Sequence, residues 1–180
     1  GSGFVVAKIR RYYILLTNTH VVGDNIRVSV ATSKGKPIAQ AKVIVSHRQQ
    51  EPEAGDLALL VIAKEEVRGR GLMPITIDFR FNQGDIATLV SGANYSVSSG
   101  QLFAVGEVVI LLGAFCEDGD SGSPYLRKVG NDYVVVAVNA RYGPVGMLIT
   151  PKIKRELLRA LRGRKSGNFI RRTDDASAIA

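Results

Sequence analysis

The sequence predicts an all-β protein made of two small antiparallel β-barrels, packed side by side and followed by one C-terminal α-helix. Three observations lead to this prediction. Most of the 180 residues fall in short runs rich in Val, Ile, Leu, Tyr and Phe, separated by Gly, Asn, Asp and Pro. A charged, glycine-containing break at 64–71 divides these runs into two similar sets. Only the segment that begins at Pro151 has a convincing helical pattern.

Twelve runs have the length and composition of strands. Several alternate between apolar and polar residues, as IRVSVAT does, which is typical of antiparallel sheets with one buried face. Strand after strand at this spacing favours barrels or sandwiches. The candidate strands are Phe4–Ile9, Tyr12–Thr17, Ile26–Ala31, Ala39–His47, Leu57–Ile62, Ile75–Ile77, Ile86–Ser91, Ser96–Val105, Glu107–Leu112, Ser123–Arg127, Tyr133–Asn139 and Val145–Ile149.

The helix has signals at both of its ends. Thr150 can cap its N-terminus, and Pro151 occupies the first helical position, where a missing N–H costs nothing. Gly163 can end it. One apolar stripe at helical spacing, which we expect to dock on the second barrel, is formed by Ile153, Leu157, Leu158 and Leu161.

These elements divide the chain into four parts. We expect an N-terminal barrel over 1–66, a C-terminal barrel over 67–150, the helix over 151–163, and a flexible basic and polar tail over 164–180.

Composition excludes several classes of protein. Hydrophobic residues make up 46 % of the chain, which excludes a fully disordered protein. No apolar run approaches the roughly 20 residues of a membrane-spanning helix. The single cysteine, Cys116, rules out an intramolecular disulfide. Together with only two histidines, His20 and His47, it leaves little for a metal site. We therefore expect no metal and no cofactor.

The excess of positive charge is concentrated near the C-terminus. The chain has 24 basic and 16 acidic residues, a formal charge of +8. Between Lys152 and Arg172 lie nine basic residues and one acid, which account for the whole excess. We interpret this stretch as a solvated helix face and tail. Nucleic-acid binding is the alternative, as a secondary activity rather than the main one.

Three short motifs carry residues that could do chemistry. TNTHVV at Thr17–Val22 places His20 at the end of an apolar strand. GDLALL at Gly55–Leu60 places Asp56 just before a buried strand, where an acid is costly unless it is satisfied. GDSGSP at Gly119–Pro124 is a tight, glycine-flanked turn that exposes Ser121. Each motif alone is more typical of ordinary structure than of catalysis.

Together the three motifs solve one chemical problem. A serine hydroxyl is a poor nucleophile at neutral pH and needs a base within hydrogen-bond reach. Histidine can be that base, and a buried aspartate can fix its tautomer and stabilise its cation. Glycines allow backbone N–H groups to point at one spot and form an oxyanion hole.

The order His, Asp, Ser, with GSGF at the start of the chain, resembles the trypsin-like (chymotrypsin-fold) serine proteases. TNTHVV and GDLALL are most similar to the HtrA/Deg branch, whose members carry TNxHV and DLALL elements. The GDSGSP form also occurs in compact viral polyprotein proteases, which are the nearby alternative. The resemblance runs from Gly1 to about Leu161 and implies two packed antiparallel six-stranded barrels, with the site in the groove between them.

The resemblance implies a role for each motif residue. Ser121 would be the nucleophile, His20 the general base and then general acid, and Asp56 the residue that orients His20. The N–H groups of Gly119 and Ser121 would form the oxyanion hole. The N-terminus is too short to pair with Asp120 as it does in digestive relatives, so we expect Asp120 to point elsewhere or to meet another cation.

The resemblance also implies where the side chain before the scissile bond (P1) would bind. The substrate-binding residues would be Phe115, Asn139, Ala140, Arg141 and Met147, with Phe115 at the pocket base. No acid sits at that base, which argues against a Lys or Arg preference. We expect a small or medium apolar P1 side chain (Ala, Val or Leu). The alternative is an acidic group held by Arg141.

Two other interpretations of the whole chain stay open at this point. The chain could be a latent or inactive binding module on the same fold, or a protease excised from a viral polyprotein. The expected partner is a protein or peptide substrate, and a monomer is favoured.

Overall fold

The computed structural model describes residues 1–32, 34–47, 56–93, 95–140, 143–164 and 169–172. It confirms the all-β fold with a C-terminal helix. Its helices are α1 (Thr19–Val22) and α2 (Pro151–Leu161). Its strands are β1 (Phe4–Ile9), β2 (Tyr12–Thr17), β3 (Arg27–Ala31), β4 (Pro37–His47), β5 (Ala58–Ala63), β6 (Ile86–Val90), β7 (Val97–Val105), β8 (Val108–Leu112), β9 (Pro124–Val129), β10 (Asp132–Asn139), β11 (Val145–Leu148) and β12 (Phe169–Arg171).

Every predicted strand except 75–77 matches an observed strand to within two residues at each end. Five strands of the N-terminal half and β12 form a six-stranded antiparallel sheet with the order β1-β2-β5-β4-β12, and β3 also pairs with β4. The hairpin of β1 and β2 turns at Arg10, which has a positive φ. Strand β4 is long enough for β3 to bind its first half and for β12 to bind its end.

Strand β12 lies inside the segment 164–180, which the sequence predicts as a flexible tail. It pairs with the end of β4, where Phe169 lies opposite His47. Phe169 is buried and packs edge-on against the His47 ring, with 5.5 Å between ring centroids. A three-residue strand among basic residues has no periodic signal, so only this tertiary contact reveals it. The rest of the predicted tail, 165–168 and 173–180, lies outside the described residues.

The second half of the chain closes into a six-stranded antiparallel barrel with the order β10-β11-β8-β7-β6-β9. Its interior is filled mainly by alternate residues of these strands, among them Leu89, Leu102, Val109, Leu111 and Tyr125. Alternation arises because successive side chains of a strand point to opposite faces.

The segment 75–78 connects the two halves instead of forming a strand of either one. Ile75 N donates to Val5 O of β1 at 2.9 Å. Val135 of β10 then pairs with the next residues, donating to Thr76 O and accepting from Asp78 N, both at 2.9 Å. This division of its hydrogen bonds between two sheets explains why a strand-like sequence has only an isolated bridge.

Helix α2 begins and ends as its sequence predicts. The Thr150 hydroxyl accepts from Ile153 N at 3.3 Å, Pro151 is at the first position, and Gly163 has a positive φ just past the end. The helix packs against β4 and β12 of the first sheet, whereas the sequence predicts docking on the second barrel. Leu158 is partly exposed, and the buried residues of the helix are Ile153, Leu157, Ala160 and Leu161.

A shared apolar cluster explains the position of the helix. The buried face of α2 belongs to a cluster that contains residues of both halves, including Leu16 and Ile44 from the first sheet and Val138 and Met147 from the second barrel. The two halves are therefore joined by a continuous core. In the part of the chain that the structure describes, no helix is long and apolar enough to cross a membrane.

Candidate active site

His20 lies on α1, the single helical turn that directly follows β2, rather than on the strand itself. Its polar neighbours tie this turn to the segment that leads into β5. Asn18 Nδ2 donates to Asp56 O at 2.8 Å, and Thr19 Oγ1 donates to Leu57 O at 2.9 Å. Asn18 and Thr19 are both buried, so these two bonds fix the backbone of His20 against that of Asp56.

The Asp56 carboxylate is buried and is bound through both of its oxygens by one residue. His20 N donates to Oδ1 at 3.0 Å, and His20 Nδ1 lies 2.5 Å from Oδ2. A buried carboxylate is costly unless hydrogen bonds satisfy it, and these two contacts meet that need. They also place the proton of a neutral imidazole on Nδ1, which leaves Nε2 as an acceptor.

The turn that carries Ser121 depends on two glycines with positive φ, Gly119 at +99° and Gly122 at +88°. Asp120 N donates to Glu117 O at 3.1 Å, and Ser123 N donates to Asp120 O at 2.9 Å. Among the described residues, neither the N–H of Gly119 nor that of Ser121 donates to a protein acceptor. Within the described structure both N–H groups therefore lack a protein partner, which is a condition for an oxyanion hole.

The Ser121 turn packs against the end of β2, three residues before His20. A Cβ on Gly122 would lie 2.5 Å from Thr17 Oγ1 and 2.0 Å from Ser2 O, so only glycine permits this approach. The Ser121 hydroxyl donates to Ala140 O at 3.5 Å, the outer limit of a hydrogen bond. The structure, within the residues it describes, forms the His20–Asp56 bond but no bond between Ser121 and His20.

The side chain of Asp120 turns back into its own loop. It is buried, and its Oδ2 accepts from Glu117 N at 2.8 Å. Its Oδ1 has no hydrogen-bond partner among the described residues. The carboxylate therefore supports the turn, and no cation from the described part of the chain meets it.

A cavity of about 140 Å³ opens beside Ser121. Two of the predicted substrate-binding residues line it, Asn139 and Ala140. The remaining lining residues are Cys116, Glu117, Asp118, Gly119, Ser121 and Gly143.

Two other predicted pocket residues, Phe115 and Met147, are placed elsewhere. Phe115, which the resemblance places at the pocket base, is 57 % exposed and does not line this cavity. Met147 alternates with Gly146 along β11, and its side chain is buried in the core between the two halves. Arg141 lies outside the described residues.

Tyr125 is hydrogen-bonded to Asn139, one of the residues that line the cavity. Its hydroxyl donates to Asn139 Oδ1 at 2.6 Å, and its ring lies where a Cβ on Gly146 would come within 2.8 Å. Burial raises the pKa of this phenol, so it stays a neutral donor. Cys116 Sγ lies 3.6 Å from the same Asn139 oxygen. Burial, followed by the negative charge of Asp120, raises the pKa of the Cys116 thiol to about 11.

Sequence reasoning missed three groups of residues near the site. Asn18 and Thr19 are conspicuous only as buried polar residues beside His20, and Tyr125 reads as an ordinary strand residue. Ser2 is the third: it contacts the turn of Ser121 from the start of the chain. The motif GSGF was the one signal that could have indicated it.

A second cavity, of about 460 Å³, opens between the start of β1 and β3. None of His20, Asp56 and Ser121 lines it. Among the described residues, no group of three or more His, Cys, Asp or Glu side chains could hold a metal ion.

The fold and this site place the molecule in the class of trypsin-like serine proteases. Residues 1–143 match the family of trypsin-like peptidase domains, and because this is well over half of the chain, the chain belongs to that family. The resemblance that the sequence motifs indicate is thereby confirmed. Among curated protein sequences, none matches the chain significantly.

Solved structures of other proteases have the same fold. Deg5 is 21 % identical, with a TM-score of 0.57 over 82 % of this chain and 76 % of that one. The serine protease of a human pathogenic astrovirus is 22 % identical, with a TM-score of 0.54 over 84 % and 83 %. Rv3671c from M. tuberculosis, in an inactive form, is 18 % identical, with a TM-score of 0.63 over 93 % and 84 %.

Proposed function

We propose that this protein is a serine endopeptidase, with Ser121 as nucleophile, His20 as general base and general acid, and Asp56 as the residue that orients His20. The observation that carries the proposal is the pair of contacts from His20 to both oxygens of buried Asp56, at 3.0 and 2.5 Å. That arrangement fixes one tautomer of the imidazole and leaves Nε2 to accept a proton.

Catalysis then proceeds in two displacements. Ser121 Oγ rotates from its weak contact with Ala140 O toward His20, since hydrogen bonds of this kind tighten when substrate binds. His20 Nε2 takes the hydroxyl proton as Oγ bonds to the peptide carbonyl carbon. The proton passes to the leaving amine, the C–N bond breaks, and an acyl-enzyme remains. Water, deprotonated by the same Nε2, attacks the ester and restores the serine.

The negative charge that develops on the carbonyl oxygen would be stabilised by the N–H groups of Gly119 and Ser121. Their lack of protein acceptors in the described structure supports this role. Each such donor contributes about 10² to 10³ in rate in related chemistry, because it is already oriented before the charge appears.

The small volume of the cavity beside Ser121 supports a P1 side chain of small or medium size. The volume of this cavity is about 140 Å³. That the side chain is apolar stays a prediction of the sequence, since Glu117 and Asp118 are among the residues that line the cavity. Asn139 turns its carbonyl oxygen toward Tyr125, so that oxygen is already occupied and adds little attraction for a polar P1 group.

A latent form of the same enzyme is the second candidate. The contact of Ser121 with Ala140, in place of one with His20, favours it. In this alternative the serine becomes competent only after a partner or an additional segment has been bound. The alternative of a protease that processes a viral polyprotein stays a prediction of the sequence.

The test is covalent labelling of the whole chain with a fluorophosphonate, followed by intact-mass and peptide mass spectrometry. We expect one adduct on Ser121, no adduct in Ser121→Ala, and strongly reduced labelling in His20→Ala. Ser99→Ala, which removes a hydroxyl from the outer face of the barrel, is the matched control and should be labelled at the native rate. An unlabelled native protein would overturn the proposal of a competent triad, and labelling at another serine would overturn the assignment of Ser121.

A further inference from the structure

We propose that Ser2 is a positioning residue that holds the turn of Ser121 in the form that presents both oxyanion-hole donors. This inference rests on the proposed function and adds a residue to it. Ser2 lies just before β1 and is only 8 % exposed. It makes four hydrogen bonds, and two of them reach the carbonyl oxygens of the two residues whose N–H groups would bind the oxyanion.

The contacts of Ser2 connect three parts of the molecule. Ser2 N donates to Ser121 O at 2.7 Å, and the Ser2 hydroxyl donates to Gly119 O at 2.9 Å. The hydroxyl accepts from Ala93 N at 3.1 Å, so its own proton is directed toward Gly119. Ser2 O accepts from Thr17 Oγ1 at 2.5 Å. Ser2 is thus anchored to β2 and to the loop at 91–93 before it contacts the serine turn.

Ser2 completes the support of two peptide planes in that turn. In the peptide between residues 119 and 120, the N–H end donates to Glu117 O and the carbonyl end accepts from the Ser2 hydroxyl. In the peptide between residues 121 and 122, the N–H end donates to Asn139 O and the carbonyl end accepts from Ser2 N. Because a peptide unit is planar, a bond at each end fixes its orientation.

The support matters most at Gly119. This residue has a φ of +99°, and without a Cβ its backbone can rotate at little steric cost. Only the two torsions of Gly119 separate its carbonyl, which Ser2 holds, from its N–H, which must point at the oxyanion. Removal of the Ser2 hydroxyl frees the carbonyl end of the peptide between residues 119 and 120. The torsions of Gly119 can then change, and the Gly119 N–H samples directions that do not reach the substrate.

Ser2→Ala removes the hydroxyl but keeps the backbone bond to Ser121 O. Complete loss of one oxyanion donor costs about 10² to 10³ in rate. Loosening a donor costs less, so we expect the limiting rate of labelling by a fluorophosphonate, kinact, to fall about tenfold. The inhibitor's dissociation constant, KI, should stay within twofold, because Ser2 does not line the cavity beside Ser121.

The experiment measures kinact and KI separately for the native chain, Ser2→Ala, Ser2→Thr and the Ser99→Ala control, with the melting temperature of each. Ser2→Thr keeps a hydroxyl and should recover most of kinact. If Ser2→Ala does not fold, Ser2→Cys, whose thiol is a weak donor of similar size, replaces it.

Four outcomes are distinguishable. A fall in kinact with constant KI, recovered by Ser2→Thr, supports the proposal. Equal kinact in native chain and Ser2→Ala (or Ser2→Cys) overturns it while leaving the proposed triad intact. An equal loss in Ser2→Ala and Ser2→Thr also overturns it, because the hydroxyl is then not what matters. A native chain that is not labelled overturns this proposal and the proposed function together.

Discussion

Asp56→Asn is the most informative single change at the site, because an amide side chain can replace only one of the two contacts that the carboxylate makes with His20. In the native structure both carboxylate oxygens accept from His20, one from the backbone N–H and one from Nδ1. An asparagine has one acceptor oxygen and one NH₂ group. The backbone N–H of His20 cannot become an acceptor, so the amide oxygen is expected to stay with it and the NH₂ group to face Nδ1.

That orientation reverses the tautomer of His20. Nδ1 must then accept, so the neutral ring carries its proton on Nε2. That nitrogen can no longer accept the proton of the Ser121 hydroxyl. A change of this kind is worth about 10⁴ in kcat in triad enzymes. At about 1.4 kcal/mol per factor of ten, this is about 5.5 kcal/mol of transition-state stabilisation. The opposite orientation sets a buried NH₂ group against the backbone N–H and costs about 1 to 3 kcal/mol in folding free energy.

The assay compares kcat/KM on a peptide ester and the melting temperature for the native chain and Asp56→Asn. We expect a loss of about four orders of magnitude in kcat/KM with a small change in melting temperature. Asp78→Asn is the matched control, because it removes a carboxylate that pairs with exposed Arg80 and, among the described residues, makes no hydrogen bond to the turn of Ser121. Retention of more than a tenth of native activity by Asp56→Asn would refute the argument from tautomers.

Three further predictions concern packing, capping and the thiol. Gly146→Ala places a methyl group 2.8 Å from the Tyr125 ring; we expect a loss of about 1 to 3 kcal/mol in urea unfolding, and an unchanged midpoint would contradict the tight contact. Thr150→Ala removes the cap of α2 and should cost about 1 kcal/mol, whereas Thr150→Ser should cost much less, and equal losses would count against a capping role. Only the thiolate of Cys116 is reactive, so its alkylation by iodoacetamide should rise about tenfold per pH unit up to a pKa of about 11; a plateau near pH 9 would contradict the raised pKa.

Strand positions were predictable because each strand is bounded locally. The runs Phe4–Ile9 and Tyr12–Thr17 are observed with the predicted ends. Gly3 precedes the first run, Asn18 follows the second, and the charged residues Arg10 and Arg11 separate the two. The helix could be predicted for the same reason: Thr150 and Pro151 specify its start without reference to anything distant.

Positions that depend on distant contacts could not be predicted. Phe169 becomes part of a strand only because it packs on His47, and nothing in its neighbourhood indicates this pairing. The predicted pocket residues show the same limit. Phe115 and Met147 are apolar residues at suitable places in the chain, but the face to which a side chain points depends on the local turn or strand register, which the motifs do not specify.

At the candidate site, the motifs indicated which side chains to examine but not how they are supported. The contact between His20 and Asp56 agrees with the expected pairing. The bonds from Asn18 and Thr19 that bring the two backbones together involve carbonyl oxygens, which every residue has. The sequence carries no mark for such acceptors, and the same is true of the contacts that Ser2 makes.

The pairing of β12 with the end of β4 also has a consequence during synthesis. A ribosome makes β4 more than a hundred residues before it makes Phe169–Arg171. Throughout that interval, the backbone of β4 near His47 remains an unprotected edge, open to pairing with other chains. Such distant pairing is slow to form, because the long intervening loop must close first. The first sheet therefore emerges from the ribosome first but is completed last. A chaperone would be most useful to the chain between the synthesis of β4 and the synthesis of β12.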